Sequence, residues 1–211
     1  MFVITADQRD SRHDDDRVER AIAGLLAEHR DAFVLPPERT AGDEFQFVLD
    51  RAEAAVEVLL TLHRQAHWSI GLGIGRIEGP LPTSTRAARG EAYFAARRAV
   101  EAAKTRPSRL SLDPDSPAAP FPSVADAQAL LDPLLRLRDS RTAAGWEIVD
   151  LLESGQSQKD AAAHLSISPQ AVSLRVRAAD ARLDRPAADA LARLLTVVDR
   201  TLDPIDERNE R

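Results

Sequence analysis

Cysteine is absent from all 211 residues of the sequence. This absence excludes disulfide bonds and thiolate-bound metal ions, and it fits a reducing compartment. Long apolar runs are also missing. None approaches the length of a membrane-spanning helix, and the apolar start at residues 2–6 is too short for a signal peptide and lacks a basic lead. We therefore expect a soluble, cytoplasmic protein without a membrane partner.

An excess of basic residues is missing as well. The net charge is −6 at pH 7, which argues against a chain coated with nucleic acid. It permits a small DNA-reading face, because affinity depends on where the cations lie. The length of 211 residues predicts two domains, and a hydrophobic fraction of 44% is sufficient for a core in each.

Several catalytic patterns are absent too. The five histidines show no metal-ligand spacing such as HExxH, and neither a Ser-His-Asp order nor a Walker-type loop occurs. The glycines between residues 71 and 75 lie within a predicted strand instead of opening a helix. We therefore reject a dinucleotide-binding fingerprint at this place.

Two helix-start signals stand a short turn apart within residues 155–177, which read GQSQKDAAAHLSISPQAVSLRVR. Ser157 can cap a first helix, and Asp160 three residues later favours the exposed N–H groups of its first turn. Ser168 can cap a second helix, because Pro169 then occupies the first helical position, where a missing N–H costs nothing.

The predicted second helix has two different sides. The apolar side, which is predicted to pack on the first helix, consists of Val172, Val176 and Ala179. The polar and basic side consists of Gln170, Ser173 and Arg177, with Arg175 at its flank. Two helices of this kind suit insertion into a DNA major groove. We expect Gln170 and Ser173 to face base edges and Arg177 a guanine or a phosphate. Lys159 and Arg175 are expected to contact phosphates.

The segment SQKDAAAHLSIS at residues 157–168 resembles the helix-turn-helix of response-regulator output domains and sigma-factor-like DNA readers. Ser166 stands at the turn position that usually holds glycine. The resemblance implies double-stranded DNA as a partner, and we expect a homodimer because one such helix buries too little surface for useful specificity. The alternatives are a helical hairpin that serves packing alone and one that binds another protein.

The first half of the sequence alternates between strand and helix patterns. The predicted order is strand 2–6, helix 17–30, strand 32–35 interrupted by Pro36-Pro37, a hairpin turn at Gly42-Asp43 with a strand after it, helix 52–63, strand 68–77 and helix 92–103. This order predicts a ferredoxin-like α+β domain over residues 1–104. In strand 68–77 the large apolar residues alternate with small ones, so its bare face is expected to lie close to the small-residue helix 92–103.

Residues 105–123 are rich in Pro, Ser and Asp and are predicted to form a linker. Every later segment has a helical pattern, which makes residues 124–205 an all-α domain that contains the helix-turn-helix at 157–177. Its last helix is predicted to begin at Pro186 and to carry an apolar stripe. That stripe either covers the core of the small helical domain or pairs with a second copy of the chain.

Four motifs follow one another along the first half: TAD at residues 5–7 with Ser11 and Arg12 after it, GDEFQ at 42–46, IGLGIGRI at 70–77, and GEAYFAARRAVEAAK at 90–104. Together they resemble the SatD family. More faintly, they look like class III nucleotide cyclases and diguanylate cyclases, which share a palm-like ferredoxin fold. The resemblance to cyclases implies that Asp7 and Asp43 hold Mg²⁺ against a triphosphate and that Arg97 stabilises charge on a phosphate. The pattern departs from that of cyclases at Tyr93, where they place an asparagine, and Arg39 is the nearest cation to the place of their purine-selecting lysine.

Our hypothesis from the sequence is a DNA-binding transcriptional regulator whose N-terminal domain senses a ligand, such as a nucleotide, or mediates assembly. The competing hypothesis is a nucleotide-binding or cyclase-like enzyme that uses the Asp7/Asp43 pair. The same aspartates also have a purely structural explanation, because Asp7 can bond to loop N–H groups and Gly42-Asp43 is a good turn by itself.

Overall fold

The computed structural model describes residues 1–11, 15–113 and 121–202 and shows a mixed α+β protein. The strands are β1 (Phe2–Gln8), β2 (Phe33–Ala41), β3 (Glu44–Leu49), β4 (Trp68–Ile74) and β5 (Leu110–Leu112). The helices are α1 (Val18–His29), α2 (Ala52–Arg64), α3 (Glu91–Ala103), α4 (Val124–Asp139), α5 (Ala143–Glu153), α6 (Gln158–His164), α7 (Pro169–Ala178) and α8 (Ala181–Leu202). The residues outside the described ranges are 12–14, which include Arg12 of the first motif and His13, 114–120 of the predicted linker, and 203–211.

The chain divides into two compact units. The first comprises Met1–Ala129 together with Leu191–Arg211, and the second comprises Leu130–Ala190. The domain limits predicted at residues 104 and 124 both fall inside the first unit. The first unit also takes in the later part of α8, which begins in the second unit.

The strands of the first unit form one sheet in the order β2-β3-β1-β4-β5. The central strand β1 pairs antiparallel with β3 and β4, and β2 pairs antiparallel with β3. In this register Asp7, near the end of β1, lies opposite Glu44 at the start of β3. The tight turn between β2 and β3 is formed by Gly42-Asp43, as the sequence predicts, with Gly42 at a φ of +51°.

Two predictions about strands are wrong. The region 105–123 is not simply a linker, because it contains the buried strand β5, which adds to β4 in parallel. Three residues are too few to show a periodicity, so nothing local reveals this strand. The prolines 36 and 37 do not interrupt β2 either. Its pairing with β3 shifts register between Leu35 and Glu38, and such irregular pairing on an edge strand tolerates proline, which has no N–H to donate.

The bare face of β4 lies directly against α3, and this prediction is confirmed. A Cβ atom added at Gly73 would stand 2.1 Å from the carbonyl oxygen of Ala92, and one added at Gly71 would stand 2.2 Å from the amide nitrogen of Val100. Real side chains cannot occupy such space. Glycine at both positions is therefore what permits strand and helix to approach so closely.

The last helix begins earlier than predicted. Helix α8 starts at Ala181, so Pro186 lies inside it and does not open it. The helical turn before Pro186 is held by Asp184, which is 2% exposed and bound to two arginines. Three residues of the apolar stripe of α8, namely Leu191, Leu195 and Val198, are buried within the single chain and belong to the first unit, whereas Leu194 and Leu202 are partly exposed.

Candidate functional site

The starts of α6 and α7 are fixed by local hydrogen bonds that the sequence predicts. The Ser157 hydroxyl accepts from the Asp160 amide at 3.2 Å, and the Asp160 carboxylate accepts from the Ser157 amide at 3.3 Å, which completes a capping box. The Ser168 hydroxyl accepts from the amide of Ala171 at 3.2 Å. Between the helices Ser166 adopts a φ of +53°, the left-handed conformation that favours glycine.

Helix α7 has one buried side and one exposed side. Val172, Val176 and Ala179 are buried in the core of the second unit, where Ala161, Ala162, Ile148 and Val149 also lie. Gln170, Ser173 and Arg177 are exposed on the other side. They share that side with Leu174, whose relative exposure is 61%. Leu174 was not among the residues predicted to face DNA, although its spacing of four from Gln170 and three from Arg177 places it on the same side.

The other two predicted phosphate contacts have different surroundings. Lys159 is exposed on α6. Arg175 is instead engaged within the second unit, because its Nη1 donates to the Glu147 carboxylate of α5 at 2.9 Å. The carboxylate of Glu147 therefore competes with a phosphate for Arg175, although a pair this exposed is weak.

A surface cavity of about 270 Å³ adjoins the exposed side of α7. It is lined by Gln158, Ser173, Val176, Arg177, Asp180, Arg182 and Leu183. The Ser173 hydroxyl donates to the side-chain oxygen of Gln158 at 3.3 Å, which links α7 to the start of α6. Arg182 thus joins Arg177 at this surface, and the carboxylate of Asp180 lies with them.

A buried charged cluster supports the end of α7. The carboxylate of Asp184 accepts hydrogen bonds from Arg138 at 2.7 and 2.9 Å and from Arg141 at 2.5 Å. Arg141 also donates to the carbonyl oxygen of Ala179 at 2.8 Å. Both guanidinium groups lie over the Trp146 ring, with centroid distances of 4.8 and 4.7 Å. Residues of α4, α5, α8 and the end of α7 are therefore tied together at one point.

The two aspartates that the sequence singles out lie near each other in the first unit. Asp7 forms an ion pair with Lys104 at 3.2 Å, and Asp43 accepts a hydrogen bond from the Ser11 hydroxyl at 2.5 Å. Burial raises the pKa of Asp7, and the negative charge of Asp43 adds to that rise, while Lys104 opposes it. Asp43 is therefore close enough to Asp7 for its negative charge to act on the Asp7 carboxyl group.

One contact of the Asp7/Asp43 pair opposes the binding of a divalent cation. The ammonium group of Lys104 lies on the Asp7 carboxylate and repels a cation there. Within the ranges that the model describes, no three or more His, Asp or Glu side chains form a group able to hold a metal ion. Mg²⁺ is commonly held by one or two carboxylates, with waters and substrate phosphates as its other ligands, so the two aspartates by themselves do not decide the matter. The magnesium site stays a prediction of the resemblance alone.

Arg97 and Arg39 both have carboxylate partners. Arg97 donates to the two oxygens of the buried Glu44 at 2.8 and 3.2 Å. Arg39 donates to both oxygens of Asp16 at 2.7 and 2.8 Å and to Glu19 at 3.2 Å. The sequence analysis did not anticipate Glu44, because an ion pair between residues 53 positions apart leaves no local pattern.

Tyr93, which stands at the departure from the cyclase pattern, donates its hydroxyl to the carbonyl oxygen of Thr85 at 3.3 Å. Burial, with a smaller effect from the Glu38 charge, raises its pKa to about 12.

Tyr93 is the only tyrosine of the chain, so absorbance at 295 nm reports its ionisation alone. We expect a titration midpoint near 12 in the folded protein and near the ordinary 10.0 in urea. Tyr93 loses its proton at a lower pH in the unfolded chain than in the folded protein. Its contribution to the free energy of unfolding therefore decreases as the pH rises from about 10 to about 12.

A midpoint near 10 in the folded protein would contradict the burial of this hydroxyl. Rapid pH jumps read before unfolding separate the native titration from one that follows loss of structure. This separation is needed because alkaline unfolding exposes Tyr93, which then ionises with the pKa of the unfolded chain.

The chain matches no protein-family model, and a search of curated proteins finds no similar sequence. Among the helices of residues 1–11, 15–113 and 121–202, none combines the length and apolar character needed to cross a membrane.

Proposed function

We propose that the protein is a DNA-binding transcriptional regulator in which α6 and α7 form a helix-turn-helix and α7 reads the major groove. The observation that carries the proposal is the two-sidedness of α7. Its apolar residues are buried, whereas Gln170, Ser173 and Arg177 are exposed on the opposite side. A helix that shows polar and cationic groups to solvent from a capped, well-packed support is suited to a groove lined by hydrogen-bonding base edges.

The exposed groups have distinct roles in this proposal. The amide of Gln170 suits bidentate pairing with adenine, and the guanidinium of Arg177 suits guanine. Lys159 on α6 and Arg182, which lines the cavity beside α7, are both exposed. Both suit phosphates, which position the protein without reading sequence. Arg175 contributes less, because Glu147 already pairs with it.

For the first unit, which resembles the SatD family, we propose a ferredoxin-like fold and a sensing or assembly role. The antiparallel order β2-β3-β1-β4, to which β5 is added in parallel, supports the proposed fold. We propose that this unit binds a small ligand or a second copy of the chain. Assembly as a homodimer would present two α7 helices to two half-sites, since one helix buries too little surface for useful specificity.

The proposal is tested by selecting duplexes from a random library with the full chain and measuring their affinity by fluorescence anisotropy. The Arg177→Ala variant is expected to lose about 1–3 kcal/mol of binding, or roughly five- to 150-fold, if the guanidinium pairs with a guanine. The matched control is Arg20→Ala on α1, an exposed arginine of the first unit, because it changes net charge equally.

Three results would oppose DNA reading by α7. One is failure of the library to yield any enriched sequence. Another is equal affinity of Arg177→Ala and Arg20→Ala for the selected duplex. The third is an affinity that does not fall as salt is raised, because release of counterions from phosphates makes DNA binding salt-dependent, whereas apolar protein contact is not weakened in that way.

A further inference from the structure

An apolar side chain stands within the polar side of α7. Leu174 is 61% exposed, and it follows Gln170 by four residues and precedes Arg177 by three. Most large apolar residues of the second unit are buried or partly covered in its core. Leu174 is held outward because Val172 and Val176 occupy the buried side of the same helix, which leaves no rotation of α7 that covers all three.

The major groove offers one apolar group that such a side chain can recognise. Each base pair presents donors and acceptors there, and thymine alone adds a methyl group, at C5. A helix rises about 1.5 Å per residue, so the eight positions from Gln170 to Arg177 span roughly 10 Å, or about three base pairs at 3.4 Å each. Leu174 lies between Gln170 and Arg177 on α7, and its side chain would therefore lie over the base pair between those that Gln170 and Arg177 contact.

We infer that Leu174 is a specificity-determining residue that selects a thymine in each half-site by contact with its C5 methyl group. The inference rests on the proposed function, and it adds a defined base to it. In this inference the polar groups on either side of Leu174 bind base edges. The isobutyl group of Leu174 placed against a cytosine or purine edge would exclude water from that base's donors and acceptors without replacing their hydrogen bonds, which costs free energy. Discrimination therefore comes both from the methyl contact and from the penalty at other bases.

The test uses the full chain and the duplexes enriched from the random library. Each thymine of the half-site is replaced singly by deoxyuridine, which removes only the methyl group. Wild-type protein is expected to lose about fourfold in affinity at one thymine per half-site, the factor that burial of one methyl-sized group gives. The Leu174→Ala variant is expected to bind the thymine duplex at least fourfold more weakly and to be indifferent to the deoxyuridine substitution.

The control is Leu81→Ala in the first unit. Leu81 is also an exposed leucine, at 41%, but it belongs neither to α7 nor to the lining of the cavity beside that helix. This variant should keep the wild-type response to deoxyuridine. Both leucines are exposed, so truncation is not expected to unfold the chain, and circular dichroism with a thermal scan verifies this for each variant.

The possible outcomes separate the inference from the proposal beneath it. If Arg177→Ala weakens binding but no thymine responds to deoxyuridine, DNA reading stands and the role of Leu174 is overturned. If Leu174→Ala binds DNA normally and alters sedimentation instead, Leu174 belongs to a protein contact and the inference is overturned. If no duplex is enriched at all, the proposed function is overturned, and the inference about Leu174 is overturned with it.

Discussion

The Asp184→Ala variant is expected to lose about 3–5 kcal/mol of unfolding free energy in the second unit, the range found when one partner of a buried ion pair is removed. Asp184 is 2% exposed and is the carboxylate partner that Arg138 and Arg141 share. Its removal leaves two guanidinium groups close together in a site of low dielectric constant. Their mutual repulsion and lost hydrogen bonds both act against the folded state.

Urea unfolding followed by tryptophan fluorescence measures this loss. The chain has two tryptophans: Trp68 in the first unit and Trp146 beside the two arginines. A Trp68→Phe background therefore makes Trp146 the only reporter. Asp189→Ala is the control, because Asp189 pairs with Arg185 on the exposed surface of α8 at 3.0 Å, and such i,i+4 pairs contribute only about 0.3–0.5 kcal/mol.

Equal urea midpoints for Asp184→Ala and Asp189→Ala would contradict this prediction, because they would show that Arg138 and Arg141 become solvated when Asp184 is removed. A second variant, Asp184→Asn, removes the charge but keeps most of the shape and one acceptor. It should lie between wild type and Asp184→Ala. The loss of DNA affinity in these variants, measured below the unfolding transition, then reports how far the end of α7 depends on the Arg141 bond to Ala179.

The Gly73→Ala variant is expected to destabilise the first unit by about 3 kcal/mol or more, because overpacking of a dense core usually costs about 1–3 kcal/mol through shifts of side chains, and here the obstacle is backbone. The added Cβ would meet the Ala92 carbonyl oxygen at 2.1 Å and the Ala96 amide nitrogen at 2.3 Å. Neither atom can rotate away. Helix α3 must therefore move off the sheet as a whole.

Trp68 lies in β4 itself and is 2% exposed, so its fluorescence in a Trp146→Phe background reports unfolding of the first unit. Gly24→Ala is the matched control, since a Cβ at Gly24 meets nothing within 4 Å. Within helix α1 that change should stabilise by up to about 1 kcal/mol, because alanine favours helix over glycine. Similar midpoints for Gly73→Ala and wild type would contradict the close approach of β4 and α3.

Local chemistry in the sequence predicts most of the helices and strands. The caps at Ser157 and Ser168 act within three residues, and the turn at Gly42-Asp43 closes within four. The alternation of large and small residues in β4 likewise reports on a single neighbouring surface. Such features depend on neighbours in the chain, so they can be recognised before the fold is known.

Features that depend on distant residues could not be predicted in this way. Strand β5 pairs with the edge of β4, and Asp184 in the first turn of α8 binds two arginines more than forty residues away. The carboxylate partners of Arg97 and Arg175 are likewise remote in sequence.

The sequence by itself therefore determined where α6 and α7 begin, which side of α7 is buried, and that a glycine-bare strand faces a small-residue helix. Only the tertiary structure decided which cations remain available at the exposed surface and how far Leu174, which its spacing places on that side, is exposed there. The physical reason is that capping and periodicity are local, whereas pairing of charges and exposure of a side chain depend on what the whole fold brings alongside.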